Sequence, residues 1–196
     1  MTTRTSQHLL LAVTGGIAAY KSAELVSQCV KAGLDVRVMM TQNATRFVGA
    51  LTFEALSGNP VLLDTFDGAD AGAIDHIEWA KWADVVCVAP ATANMLAKLA
   101  CGLADDAPST VLMALPRGVP CVIAPAMNTE MWLHPIVQRN VQWLRELDRY
   151  HIVEPVSKRL ACGDVGPGGL ADPAVLLKAI QMLGNADDTA SDHAAR

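Results

Sequence analysis

The chain has 196 residues, 52% of them hydrophobic and only 18% charged, with a formal net charge of −5. That length fits one domain with a full core. The acidic balance and the lack of a basic cluster argue against nucleic acid or an anionic membrane surface as partner. No apolar run approaches the roughly 18 residues of a membrane span, and the first one is too short for a signal peptide. The five cysteines (Cys29, Cys87, Cys101, Cys121 and Cys162) are odd in number and form no CxxC pair, so neither a disulfide framework nor a zinc site is expected. A soluble cytoplasmic protein is expected, with its excess apolar surface hidden between subunits.

Taken in chain order, strands and helices alternate. Residues 9–14 are a short apolar run closed by Gly15-Gly16, and residues 18–32 read as a helix ended by Gly33. A second strand covers 36–40. Residues 43–57 look helical, a turn falls at Gly58-Asn59-Pro60, and the acidic, small-residue stretch 64–75 reads as a loop. A third strand over 84–89 is expected to stop at Pro90. Helices follow near 93–101 and 105–115, then a fourth strand over 119–124, a helix over 136–147 and a short strand at Ile152-Val153. Continuous apolar strands separated by helices predict a parallel sheet covered on both faces: a three-layer, Rossmann-like (flavodoxin-like) α/β domain over residues 1–183. Residues 157–173 hold four glycines and two prolines and read as a mobile flap, followed by a helix near 173–183 and a polar tail over 184–196, expected to be disordered.

Open parallel sheets bind ligands at the carboxyl edges of their strands. The first strand-to-helix turn there is Thr14-Gly15-Gly16-Ile17-Ala18-Ala19. Its glycines would let the backbone approach a phosphate at a helix N-terminus, although it is neither a full GxGxxG nor a Walker A loop. Thr41 ends the second strand, and Ala91-Thr92-Ala93-Asn94 follows the third; small polar residues there either cap helices or face a nucleotide. Asn128, in Pro125-Ala126-Met127-Asn128-Thr129-Glu130-Met131-Trp132, offers an acceptor and two donors on a short stem. It is either an incidental residue at a helix start or a clamp for a carboxylate. His76 is either structural or, beside such a crevice, a candidate base. Trp79 and Trp82 read as packing residues, and Cys87 and Cys121 as inert core thiols.

Five segments together resemble the homo-oligomeric flavin-containing cysteine decarboxylases: residues 14–21, His76, residues 90–94, residues 125–132 and residues 161–168. The resemblance implies FMN as cofactor, held by Gly15, Gly16, Ile17, Ala18, Thr41, Ala91, Thr92, Ala93, Asn94, Ala126 and Met127. It implies a trimer, often built into a dodecamer, with the active site between subunits. It implies His76 as catalytic base, Asn128 as the residue holding the substrate carboxylate, and Cys162 as a catalytic acid. Asn128, Met131, Ala161, Cys162 and Gly163 would line the substrate.

The chemistry accounts for these residue types. Direct loss of CO₂ from a cysteine amide would leave an unstabilised carbanion, whereas oxidation of the thiol to a thioaldehyde lets the electrons flow to sulfur. That oxidation needs a hydride acceptor that no side chain supplies. The Ala161-Cys162-Gly163-Asp164 flap favours the phosphopantothenoylcysteine branch. The alternative substrate is the C-terminal cysteine of a precursor peptide, whose decarboxylases generally lack the flap cysteine. In most bacteria the former enzyme is fused to a synthetase, which the polar tail does not resemble. A flavin prenyltransferase and a non-catalytic regulatory subunit are weaker readings, because His76, Asn128 and Cys162 are all present.

Overall fold

The apolar runs become a sheet buried on both sides. The computed structural model describes residues 7–65, 75–159, 161, 163 and 165–184. Strands β1 (His8–Val13), β2 (Asp35–Met40), β3 (Val61–Leu62), β4 (Val85–Ala91), β5 (Cys121–Pro125) and β6 (Tyr150–Ile152) are all parallel and lie in the order β3-β2-β1-β4-β5-β6. Alternate residues feed two cores. Leu9, Leu11 and Val13 pack under α1 (Ala19–Lys31), α3 (Ala50–Ser57) and α9 (Pro173–Gly184). Leu10 and Ala12 pack under α4 (Asp75–Trp82), α5 (Ala93–Cys101), α6 (Ala107–Met113) and α8 (Pro135–Arg145). This is the three-layer α/β arrangement expected from the sequence. Its strand order reverses between β1 and β4, which makes the carboxyl ends of those two strands the natural ligand crevice.

Several elements differ from expectation, each for a local reason. The helix expected over 43–57 is two: α2 (Gln42–Thr45), capped by Thr41, and α3, whose N-cap Gly49 is extended at φ −69, ψ 145. β3 is only two residues long, too short to register as an apolar run. α4 begins at Asp75, where a loop was expected to end; residues 66–74 lie outside the described part. Pro90 does not stop β4. The strand runs on to Ala91, and its register against β5 shifts between Val88 and Ala91. Proline is tolerated at such an irregularity because the ladder bond it cannot donate is already broken. Two carbonyls at the irregularity accept side-chain bonds instead: Ser22 Oγ donates to Ala89 O and Thr14 Oγ1 to Pro90 O, both at 2.6 Å.

The flap region contains an antiparallel pair, β7 (Val156–Arg159) and β8 (Val165–Gly169), in which Lys158 faces Gly166. Cys162, with Leu160 and Asp164, lies outside the described residues, as does the tail from residue 185. The tryptophans pack as expected: Trp82 stacks on His8 and holds the Arg37 guanidinium 4.3 Å from its ring centre, with Trp79 on the same cation at 5.5 Å. Cys87 and Cys121 are buried in the two cores. Burial pushes the Cys121 thiol up to about 12 and that of Cys87 well above its ordinary value, so neither is nucleophilic.

Candidate active site

A cleft of about 1180 Å³ opens at the carboxyl edge where the strand order reverses. It exceeds the roughly 300–1,000 Å³ of ordinary small-molecule sites. Thr14 and Gly15 line it from the end of β1, Thr41 from β2, and Thr92, Ala93 and Asn94 from β4 and α5. His76 and Met131 also line it. Gly16, Ile17, Ala18, Ala91, Ala126, Met127, Asn128, Ala161 and Gly163 do not.

A compact hydrogen-bond lattice sets the floor of the cleft. Thr14 Oγ1 accepts from Thr92 N–H at 3.1 Å while donating to Pro90 O. Thr92 Oγ1 in turn caps α5 by accepting from Met95 N–H at 3.3 Å, and Thr41 Oγ1 caps α2 by accepting from Ala44 N–H at 3.2 Å. Both threonines are therefore helix caps and cleft walls at once. Gly15 is required by a close approach of two turns, since a Cβ there would lie 2.4 Å from Asn43 Cβ and 2.8 Å from its carbonyl carbon. α1 has Ala18 at its N-cap, which offers no side-chain hydrogen bond, and it carries no acidic residue in its first turn. Its N-terminal N–H groups and dipole thus favour an anion beside the Gly15-Gly16 turn. Threonines and an asparagine at three strand ends, an uncapped helix, and Leu63, Met95 and Met131 as apolar surface make a donor set that fits a flavin mononucleotide.

Asn128 belongs to a neighbouring structure. Its Oδ1 accepts from Glu130 N–H at 2.9 Å and from Met131 N–H at 3.4 Å, making it the N-cap of α7 (Thr129–Leu133). Capping fixes the direction of the amide. The preceding loop is bound on both sides: Ala126 N–H donates to Ala91 O at 3.1 Å and Met127 N–H to Gly168 O at 2.9 Å. Gly168, at φ +138, sits so close that a Cβ would lie 2.2 Å from Met127 O. Gly166 similarly covers Thr129, whose Oγ1 is buried without a hydrogen-bond partner among the described residues. The root of the β7–β8 pair is therefore fastened to the Asn128 loop. Ala161 and Gly163 are exposed in the connection between those strands.

Sequence reasoning missed the far wall of the cleft. Lys98, 8% exposed, pairs there with Asp105 and with Asp106, the latter at 2.6 Å. Burial alone would lower the lysine's pKa, but the two carboxylates outweigh it and raise it. Burial also opposes ionisation of Asp106, yet Lys98 and Ser109 hold that carboxyl below its ordinary value. Asp106 and Ser109 form the capping box of α6, an Asp-x-x-Ser spacing that was readable in advance. The placement of Lys98 one helix away was not. Among the described residues no group of His, Cys, Asp and Glu could hold a metal ion.

A protein-family model described as Flavoprotein matches residues 1–184. The chain belongs to the flavoprotein family. This flavoprotein is 46% identical over 176 residues to a probable phosphopantothenoylcysteine decarboxylase of Streptococcus mutans, spanning 90% of this chain and 98% of that one. It is 49% identical over 173 residues to the coenzyme A biosynthesis bifunctional protein CoaBC of Bacillus subtilis, covering 88% of this chain and 42% of that longer protein. The chain thus spans less than half the length of the Bacillus relative. Among solved structures, a PPC decarboxylase mutant complexed with pantothenoylaminoethenethiol superposes with a TM-score of 0.82 at 32% identity, over 93% of this chain and 100% of that one. The FMN-dependent cysteine decarboxylase SpaF gives 0.78 at 36% identity, over 92% and 98%. These relatives agree with the flavin-containing cysteine decarboxylase resemblance read from the motifs, and they support FMN as cofactor.

Proposed function

We propose that this flavoprotein decarboxylates the cysteine carboxylate of 4'-phosphopantothenoylcysteine to give 4'-phosphopantetheine, a step of coenzyme A synthesis, acting in the cytoplasm. The observation that carries the reading is the junction between the Asn128 loop and the β7–β8 pair. It fastens the root of the β7–β8 pair to the loop of the carboxylate-binding candidate, at the end of β5 in the sheet whose carboxyl edge carries the cleft lined by His76. The Streptococcus relative, alike over nearly the whole of both chains, supports the same substrate.

When bound, FMN would accept a hydride from the substrate's cysteine β-carbon and return it at the end of the cycle. The protein's own residues do the rest. His76 takes the thiol proton at its imidazole, so that the carbon–sulfur bond can become C=S. Asn128 donates its amide hydrogens to the carboxylate and holds it out of plane for CO₂ loss, and the electrons move onto sulfur. Cys162 donates a proton to the substrate α-carbon, which leaves a saturated thiol. The β7–β8 pair excludes water while this occurs.

Ile17, Tyr20, Met131 and Leu133, each about half exposed or more, surround this edge with apolar surface. A trimer, with sites completed between subunits, would cover it. A second reading is oxidative decarboxylation of a peptide's C-terminal cysteine, the natural-product tailoring role; the likeness to TvaF, an FMN-dependent cysteine decarboxylase from thioviridamide biosynthesis, at 30% identity keeps it in view. Incubating FMN-loaded protein with phosphopantothenoylcysteine and, separately, with a peptide ending in cysteine tests the choice. Release of CO₂ from the first substrate alone is expected; release from the peptide alone would reverse the assignment.

A further inference from the structure

His76 is the second residue of α4, and the rest of that helix decides where its imidazole stands in the cleft. α4 runs from the carboxyl edge, where His76 lines the cleft, to the amino edge, where Trp82 meets His8 at the start of β1. That far end is fastened to two strands. On β1, the Trp82 ring stacks on His8 with centres 4.7 Å apart. Beside it, His8 N–H donates to Asp84 Oδ2 at 2.8 Å, and Asp84 N–H donates to His8 O at 3.0 Å. On β2, the Arg37 guanidinium carbon lies 4.3 Å from the Trp82 ring centre and 5.5 Å from that of Trp79. Apart from the two tryptophans, this segment gives the core only the small residues Ala80 and Ala83, so the tryptophans dominate its hold.

Packing alone does not account for Arg37. It pairs with Leu10 in the β1–β2 register, on the sheet face that Leu10, Ala12 and Met39 bury in the second core. Half-burial there costs it hydration. Among the described residues no carboxylate compensates; the ion pairs found involve His8, Lys98 and Arg145. The two indole rings do, and a cation held on two rings has a defined height and direction that an aliphatic contact lacks. Trp79 lies three residues after His76, so the two share a helix face and a displaced Trp79 carries the imidazole with it. We propose that Arg37 is a positioning residue for His76, acting through Trp79 and Trp82. This rests on the function proposed above and deepens it, because the base then depends on a cation of β2 that does not itself line the cleft.

The test uses FMN-loaded protein with isotope-labelled histidines, the His76 NMR signal being assigned by its loss in His76→Asn. In Arg37→Met, which keeps the stem and removes the cation, the His76 signal should move while those of His134 and His151 stay. The kcat for phosphopantothenoylcysteine should fall by roughly 10- to 100-fold, with KM and FMN content within about twofold of wild type, as expected of a displaced base. Arg37→Lys should recover most of the kcat, since an ammonium also binds a ring face. Arg37→Met/Trp79→Leu should lose less than the product of the two single losses, because both substitutions break one connection. Val141→Ala, a truncation in the same core under α8, measures destabilisation alone and should move neither the His76 signal nor kcat. Should Arg37→Met not fold, Trp79→Leu carries the same expectations for the His76 signal and kcat. An unmoved His76 signal, a kcat loss no larger than that of Val141→Ala, or independent losses in the double variant would overturn the positioning role. A moved signal in an enzyme whose His76→Asn variant still releases CO₂ would leave the positioning role standing and sink His76 as base. An unmoved signal with His76→Asn inactive would do the reverse.

Discussion

At the scale of single residues, roles divide between holding the site and performing chemistry. Asn128 caps α7 through its oxygen, so Asn128→Asp keeps the cap while replacing the amide donors by a second negative charge facing the substrate carboxylate. We expect Asn128→Asp to fold and keep its yellow colour but to lose decarboxylation; turnover within tenfold of wild type would refute the clamp. His76→Asn should likewise retain FMN and lose activity, as measured by CO₂ release. Cys162→Ser should accumulate an enethiol two hydrogens lighter than the saturated product, and finding only the saturated thiol would show that Cys162 is not the α-carbon acid. Asp106 has a structural role. Asp106→Ala removes the α6 cap and leaves Lys98, 8% exposed, with Asp105 alone, at a cost of about 1–3 kcal/mol in urea unfolding. Because the folded Asp106 carboxyl lies below its ordinary 3.8, its contribution is present above that pH and is lost as pH falls through the folded value. The Asp106→Ala destabilisation should therefore shrink in acid.

At the scale of elements, the strands carrying the site were legible and the turns between them less so. β1, β2, β4 and β5 stand where the apolar runs put them, because a strand buried on both faces leaves an uninterrupted hydrophobic signature. Gly15 was legible as a special position, but for a different reason: the backbone and Cβ of Asn43 in the next turn occupy the space a side chain would need. Gly15→Ala should therefore push α2 away from the cleft and weaken FMN retention, seen as flavin loss on gel filtration. β8 was hidden because three glycines and a proline make up all but its first residue; the use of Gly168 is close backbone packing, visible only once Met127 is seen against it. Gly168→Ala meets both that contact and a φ of +138. It should impair turnover more than FMN binding, the opposite order to Gly15→Ala.

At the scale of the whole molecule, the sheet supplies one edge on which distant segments converge. The reversal of strand order between β1 and β4 locates the cleft, and β5 delivers the Asn128 loop beside it. Exposed Ile17 at 61%, Tyr20 at 60% and Leu133 at 55% lie close to that edge in sequence, and the proposed trimer would cover them. Light scattering should give a trimer or a multiple of three, and Tyr20→Asp should lower both the mass and the activity. The most direct test of the account is product mass from phosphopantothenoylcysteine over many turnovers with oxygen excluded. The account predicts a product lighter than the substrate by CO₂ alone, formed in large excess over enzyme. A product that has also lost two hydrogens, formed once per flavin and continuing only when oxygen is admitted, would contradict it.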